Sequence, residues 1–258
     1  MRFIIAALFY ALALAIAPAH GAEVTGDESI VVEYPPAISA ATARDFATLL
    51  ATERQRVREW WGATFENEIR IKIVDERGPS MALVPAWRGE HGVMRMPLIR
   101  VKSNDAASLH ELVHIYAPNA NRLLAEGLAV YAHEALKGRR AHPNSGRDLH
   151  EMAAATTGAM KLVELDKVAT PQQLEKGGDE TKAYVAGGSF VRYLIERDGL
   201  EKFRALYALT PLLPKQREAG SPDRWQTVYG KPLSDLETDW RQFLTERFPP
   251  QPAARRSN

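Results

Sequence analysis

Apolar residues recur along this chain in two successive rhythms. From Ala40 to Trp61 they return at three- and four-residue spacing (Phe46, Leu49, Leu50, Val57, Trp60, Trp61), with Ser39 where an N-cap belongs and Gly62 at the end, which predicts one long amphipathic helix. Ile69, Ile71 and Ile73 then alternate with Arg70, Lys72 and Val74 ahead of Asp75-Glu76-Arg77-Gly78-Pro79, the pattern of a half-buried strand and its turn. Val31-Val32-Glu33-Tyr34 before Pro35-Pro36 reads as a short edge strand or extended arm; Met81 to Val84, Gly92 to Met96 and Leu98 to Val101 read as further short strands. From Asp105 the alternation stops and helical periods take over, with candidates at 105–117, 121–137, 147–159, 180–197, 199–208, 222–229 and 233–247. The pattern predicts an α+β fold: a helix packed on a small mixed sheet over 23–104, then a mostly helical lobe over 105–247, with a site in the cleft between them.

Composition narrows the chemistry. The 258 residues are 45% hydrophobic and 25% charged, with a mean hydropathy of −0.28, as expected of a folded chain with one large domain or two small lobes. Thirty-three Lys+Arg against 32 Asp+Glu leave a net charge of +1, so no bulk field favours nucleic acid or an anionic membrane as partner. The absence of cysteine excludes disulfides, thiolate metal ligands, iron–sulfur clusters and cysteine nucleophiles. Arg2, the apolar run from Phe3 to Ala17, and the small residues after Pro18 match a secretory signal over 1–22, cleaved after Ala19 or as late as Ala22. That predicts export to the periplasm or beyond, with no stable membrane insertion once the signal is removed; an uncleaved N-terminal anchor is the alternative. No Asn-X-Ser/Thr acceptor occurs, and Phe248 to Asn258 reads as a loose tail.

His110-Glu111-Leu112-Val113-His114 is the sharpest signal in the chain. On a helix, residues four apart share a face, so both imidazoles can converge on one metal ion while Glu111, about 100° round, aims its carboxylate beside the metal's open position. Asn104 or Ser103 can cap that helix, Leu109, Leu112, Val113 and Ile115 supply its buried face, and Pro118 ends it. A catalytic zinc generally takes three protein ligands and leaves the fourth position to water. The next helix offers a candidate third ligand in Glu126, a lone acid among Leu123, Leu124, Ala125, Leu128 and Val130, where a metal would offset the cost of burial. Gly127 beside it would let the two helices approach closely. Glu126 facing water near a helix N-terminus is the other reading.

The run His110-Glu111-Leu112-Val113-His114 followed by Ala125-Glu126-Gly127-Leu128-Ala129 resembles the gluzincin metallopeptidases, specifically the peptidase MA-like group related to M1-type aminopeptidases and thermolysin-like enzymes. Ala183-Tyr184-Val185-Ala186-Gly187-Gly188 is similar to the aminopeptidase helix whose tyrosine contacts the tetrahedral intermediate, and Trp225 to Leu244 has the look of the group's closing helices. The resemblance covers roughly residues 100–245 and implies a zincin-like fold. It implies one zinc ion held by His110, His114 and Glu126, with Glu111 as general base and Tyr184 as oxyanion donor, in an enzyme that hydrolyses peptide or protein substrates.

Three departures qualify the resemblance. The interval from His114 to Glu126 is short, holding little more than a turn. Val130 stands where thermolysin-like enzymes place an Asp that supports a histidine ligand, and the Gly-Ala-Met-Glu-Asn motif that binds a free substrate amine is missing, which argues against an aminopeptidase. His133 and Glu134 read as a surface pair, with His133 as a supporting residue the alternative, while His91, His142 and His150 lie in or beside loops with no paired spacing. Arg139-Arg140 and Arg255-Arg256 read as solvated charge, and the Met81 to Val101 segment could align an extended peptide at a sheet edge or be an ordinary strand. The competing functional classes are a catalytically silent binding or assembly module that keeps the fold, and a helical protein in which the histidine pair is coincidence. Substrate identity and oligomeric state stay open at the level of sequence.

Overall fold

The computed structural model describes residues 22–27, 29–83, 91–104, 106–138, 142–158, 160–176, 179–210 and 219–249. The expected signal up to residue 21, the tail from 250, the Arg139-Arg140 pair, Val84 and Asp105 lie outside the described residues.

Five strands form one mixed sheet in the order β1-β2-β3-β5-β4, with β1 Ala22–Asp27, β2 Ile30–Tyr34, β3 Ile69–Val74, β4 Met81–Leu83 and β5 Gly92–Pro97. β2, β3 and β5 run parallel, while β1 and β4 are antiparallel additions at the two ends. The parallel β2–β3 pair needs a crossover, and helix α1 Ala40–Trp61 supplies it. Ser39 Oγ accepts from the Thr42 N–H at 3.1 Å to start α1, and Gly62 ends it at φ 112°, in the left-handed half of backbone space that glycine tolerates. The apolar stripe that predicted α1 is its buried face: Phe46, Leu50, Val57 and Trp61 meet Ile69, Ile71 and Ile73 from the sheet in one core.

Helices build the rest: α2 Leu98–Lys102, α3 Ser108–Tyr116, α4 Arg122–Ala135, α5 Leu149–Thr156, α6 Leu162–Leu165, α7 Pro171–Lys176, α8 Glu180–Asp198, α9 Leu200–Ala208, α10 Asp223–Tyr229 and α11 Leu233–Arg247. One continuous hydrophobic cluster runs from Ile30 and Val32 in the sheet through α3, α4 and α8 to Trp225, Trp240 and Leu244.

The structure corrects four expectations. Val31 to Tyr34 is not an edge strand, because residues 22–27 pair along its outer side and leave β2 between two neighbours. Leu98 to Val101 is helical: Pro97 closes β5 and stands at the helix N-cap, and of these four residues only Val101 is buried while Ile99 is exposed, a one-sided burial that a short helix accommodates. Neither Ser103 nor Asn104 caps α3; Ser103 ends α2, Asn104 makes a turn at φ 61°, and Ala107 occupies the N-cap of α3 without a side-chain bond. His133 is buried rather than on the surface, while Glu134 accepts from Arg192 and Asn144. The short helices α6 and α7 lie outside the helical candidates read from periodicity.

Candidate metal centre

Helix α3 buries Leu109, Leu112, Val113, Ile115 and Tyr116 against the core and turns His110 and His114 toward α4. α4 starts at Asn121, whose side chain accepts from the Leu124 N–H at 2.9 Å, so the turn between the two helices closes within a few residues despite the short interval. The Asn121 amide also donates to the Asp166 carbonyl at 2.7 Å, and Asp166 in turn accepts from Arg224 and Trp225. The first turn of α4 is thereby fixed from beneath.

This framework brings three donor atoms together. His110 Nε2 and His114 Nε2 lie 3.1 Å apart, and Glu126 Oε2 is 3.2 Å from the first and 3.3 Å from the second. Tetrahedral zinc with bonds of about 2.0–2.1 Å sets pairs of nitrogen and oxygen donors roughly 3.3 Å apart, so the spacing fits such an ion. His110, His114 and Glu126 could therefore hold a metal ion, and they are the one such group found among the described residues.

Burial pushes the Glu126 carboxyl up, but His114, hydrogen bonds from both histidines and the Arg122 guanidinium outweigh it and hold the group well below the usual carboxylate range. Glu111, one residue after His110, behaves oppositely. Its burial, with the negative Glu126 nearby, raises it to about 7 against the pull of His110, while the Ala82 backbone N–H donates to it. Ala82 lies on β4, which pairs with β5 on one side and has no strand partner on the other among the described residues.

Tyr184 reaches the same place from α8. Its ring stands edge-on to His110 at 6.2 Å and to His142 at 5.8 Å, and it lines a cavity of about 180 Å³ together with His110, Glu111, Arg100 and His142. Burial and the carboxylate of Glu126 push its phenol above the ordinary tyrosine range, so the hydroxyl stays protonated and can donate. Close helix packing puts it there: a Cβ on Gly127 would come within 2.7 Å of the Gly187 carbonyl, and one on Gly188 within 2.5 Å of Val130. Val130 is thus a packing residue against α8, which explains why no acid occupies that position.

Every candidate site residue read from the sequence therefore lies at this one centre. Three further residues there escaped that reading. His142 and Arg100 line the cavity from loops and a short helix with no periodic signal, and burial together with Arg100 and His110 holds His142 below its ordinary range, hence neutral. Arg122 donates to Glu126 Oε1 at 2.9 Å, and its place one turn ahead of Glu126 was a usable signal of helical pairing.

No family model and no curated protein matches this sequence. Among solved structures, the M1 zinc metallopeptidase from Deinococcus radiodurans is similar at 17% identity with a TM-score of 0.48, over 90% of this chain and 52% of that one. A mutant of it bound to a Tyr-Ser-Ala substrate gives 18% identity and 0.48, over 87% and 51%. Aminopeptidase A from Legionella pneumophila, in complex with aspartic acid, gives 17% identity and 0.42, over 82% of this chain and 26% of that one. This chain spans about half the length of the Deinococcus chains. At those values the weight of the metal assignment falls on the donor geometry.

Proposed function

We propose that this chain is an exported zinc-dependent metallopeptidase. The observation that carries the reading is the convergence of His110, His114 and Glu126 at tetrahedral spacing, with a buried carboxylate and a protonated phenol facing the same cavity. A bound zinc would bring the pKa of its water to about 7 and polarise a peptide carbonyl. Glu111, held near neutrality by burial, accepts a proton from the attacking water and returns it to the departing amine as the C–N bond breaks. Tyr184 donates its hydroxyl hydrogen to the carbonyl oxygen as negative charge grows there. On the side of β4 that has no strand partner among the described residues, the Ala82 N–H already donates to Glu111, and an extended peptide lying there as an added strand would pair with the backbone groups that remain.

Export rests on the signal-like segment in the sequence; no helix among the described residues is long and apolar enough to cross a membrane. The missing free-amine motif favours cleavage that does not depend on a substrate N-terminus. The test is a quenched-fluorescence peptide library incubated with zinc-loaded full chain, with and without a chelator, using paired members that carry free and acetylated N-termini. The expected outcome is cleavage that chelation abolishes and zinc restores, undiminished by acetylation. Metal binding without cleavage of any member would favour the silent binding module instead.

A further inference from the structure

We infer that Arg122 is the positioning residue of the metal centre, clamping one oxygen of Glu126 so that only the other faces the metal. The inference rests on the zinc reading above. The two oxygens of the Glu126 carboxylate have divided roles: Oε2 meets both imidazoles at 3.2 and 3.3 Å, while Oε1 accepts from Arg122 Nη1 at 2.9 Å. The other terminal nitrogen of Arg122 donates to the Asn119 carbonyl at 2.9 Å. Asn119 is itself held, since its amide donates to the Tyr207 carbonyl at 3.1 Å and its side-chain oxygen accepts the Asn121 N–H at 2.8 Å. Arg122 therefore ties the ligand carboxylate to the turn that joins the two ligand-bearing helices.

Two features separate this role from plain charge neutralisation. The Arg122 side chain is 13% exposed, and its Nε is buried with no hydrogen-bond partner among the described residues. An unpaired buried N–H is unfavourable for stability, so the side chain is arranged around its two terminal contacts rather than around its own satisfaction. In addition, Val130 is packed against Gly188, where an acid supporting a histidine could have stood. Outer hydrogen bonds generally orient a metal's ligands, and behind the Glu126 carboxylate Arg122 supplies one. A planar fork can hold the carboxylate and the carbonyl at once, which a lysine ammonium on a flexible stem does not reproduce.

The experiment compares wild type, Arg122→Met and Arg122→Lys as full chains. Each is measured for metal-free thermal unfolding, zinc affinity by chelator competition, and the visible spectrum after cobalt loading. The Met variant is expected to bind zinc about 10- to 100-fold more weakly. Its cobalt bands should weaken as the released carboxylate binds through both oxygens and raises the coordination number. The Lys variant should recover part of the affinity and keep the altered spectrum. Affinity and spectrum within twofold of wild type in the Met variant would overturn the inference, as would full restoration of both by Lys, which would leave charge alone as the role. If the Met variant fails to fold, the cobalt spectrum of the Lys variant decides: altered supports the clamp, unchanged overturns it. A wild-type chain that takes up neither zinc nor cobalt would overturn the zinc reading and this inference together, an outcome distinct from wild-type binding that Arg122 variants leave untouched.

Discussion

Glu111 is buried between His110 and the β4 backbone, and substituting Gln keeps its shape and volume while removing the proton acceptor. Glu111→Gln is expected to retain zinc and lose turnover by about 10²-fold or more, measured as kcat beside metal content; unchanged turnover would remove the general-base role. Tyr184 carries a different expectation, because its hydrogen bond strengthens as charge develops. Tyr184→Phe should lower kcat about 10²-fold with KM and zinc content nearly unchanged, and a kcat within twofold of wild type would take the phenol out of the mechanism. At this scale the sequence disclosed the residues whose spacing is set by a single helix, His110, Glu111 and His114, and the lone acid Glu126 one turn into the next helix. His142 and Arg100 were hidden because tertiary packing, not periodicity, brings them to the cavity.

Between elements, the decisive contact is α4 against α8. Adding a methyl group at Gly127 gains roughly 1 kcal/mol of helix propensity, but it would place a carbon 2.7 Å from both the Gly187 carbonyl oxygen and a Val191 methyl, an overpacking that costs about 1–3 kcal/mol. The second effect wins because a backbone carbonyl cannot rotate away. Gly127→Ala is therefore expected to lower the thermal midpoint and, by pushing α8 outward, to reduce kcat through Tyr184 more than it weakens zinc; a more stable, fully active variant would contradict the packing account. The long elements were legible for the same reason that they are stable: α1, β3, α8 and α11 each bury one periodic face. β1 and α2 were misjudged because their burial depends on neighbours distant in sequence, β1 on its pairing with β2 and α2 on a single anchoring residue, Val101.

Over the whole molecule, stability should depend on pH through a histidine remote from the metal centre. His150 is fully buried, with Nδ1 hydrogen-bonded to Ser189 Oγ at 2.8 Å, and Ser189 Oγ also accepts from Trp240. Burial and the positive Arg192 hold this imidazole down to about 4. Between about 6.5 and 4 the unfolded chain binds a proton that the folded chain refuses, so this contribution is fully present above the unfolded value and is lost as pH falls. Urea unfolding at pH 7 and 4.5 should show a loss of about 2 kcal/mol from this group, and a shallower slope in His150→Gln; identical slopes would exclude it. The most direct test of the central claim is the zinc content of the full chain after metal loading and dialysis, taken beside His110→Ala and Glu126→Ala. One equivalent in the wild type and sharply reduced occupancy in both variants is the predicted result. A wild-type chain without zinc, or variants that hold it as well as the wild type, would contradict the account.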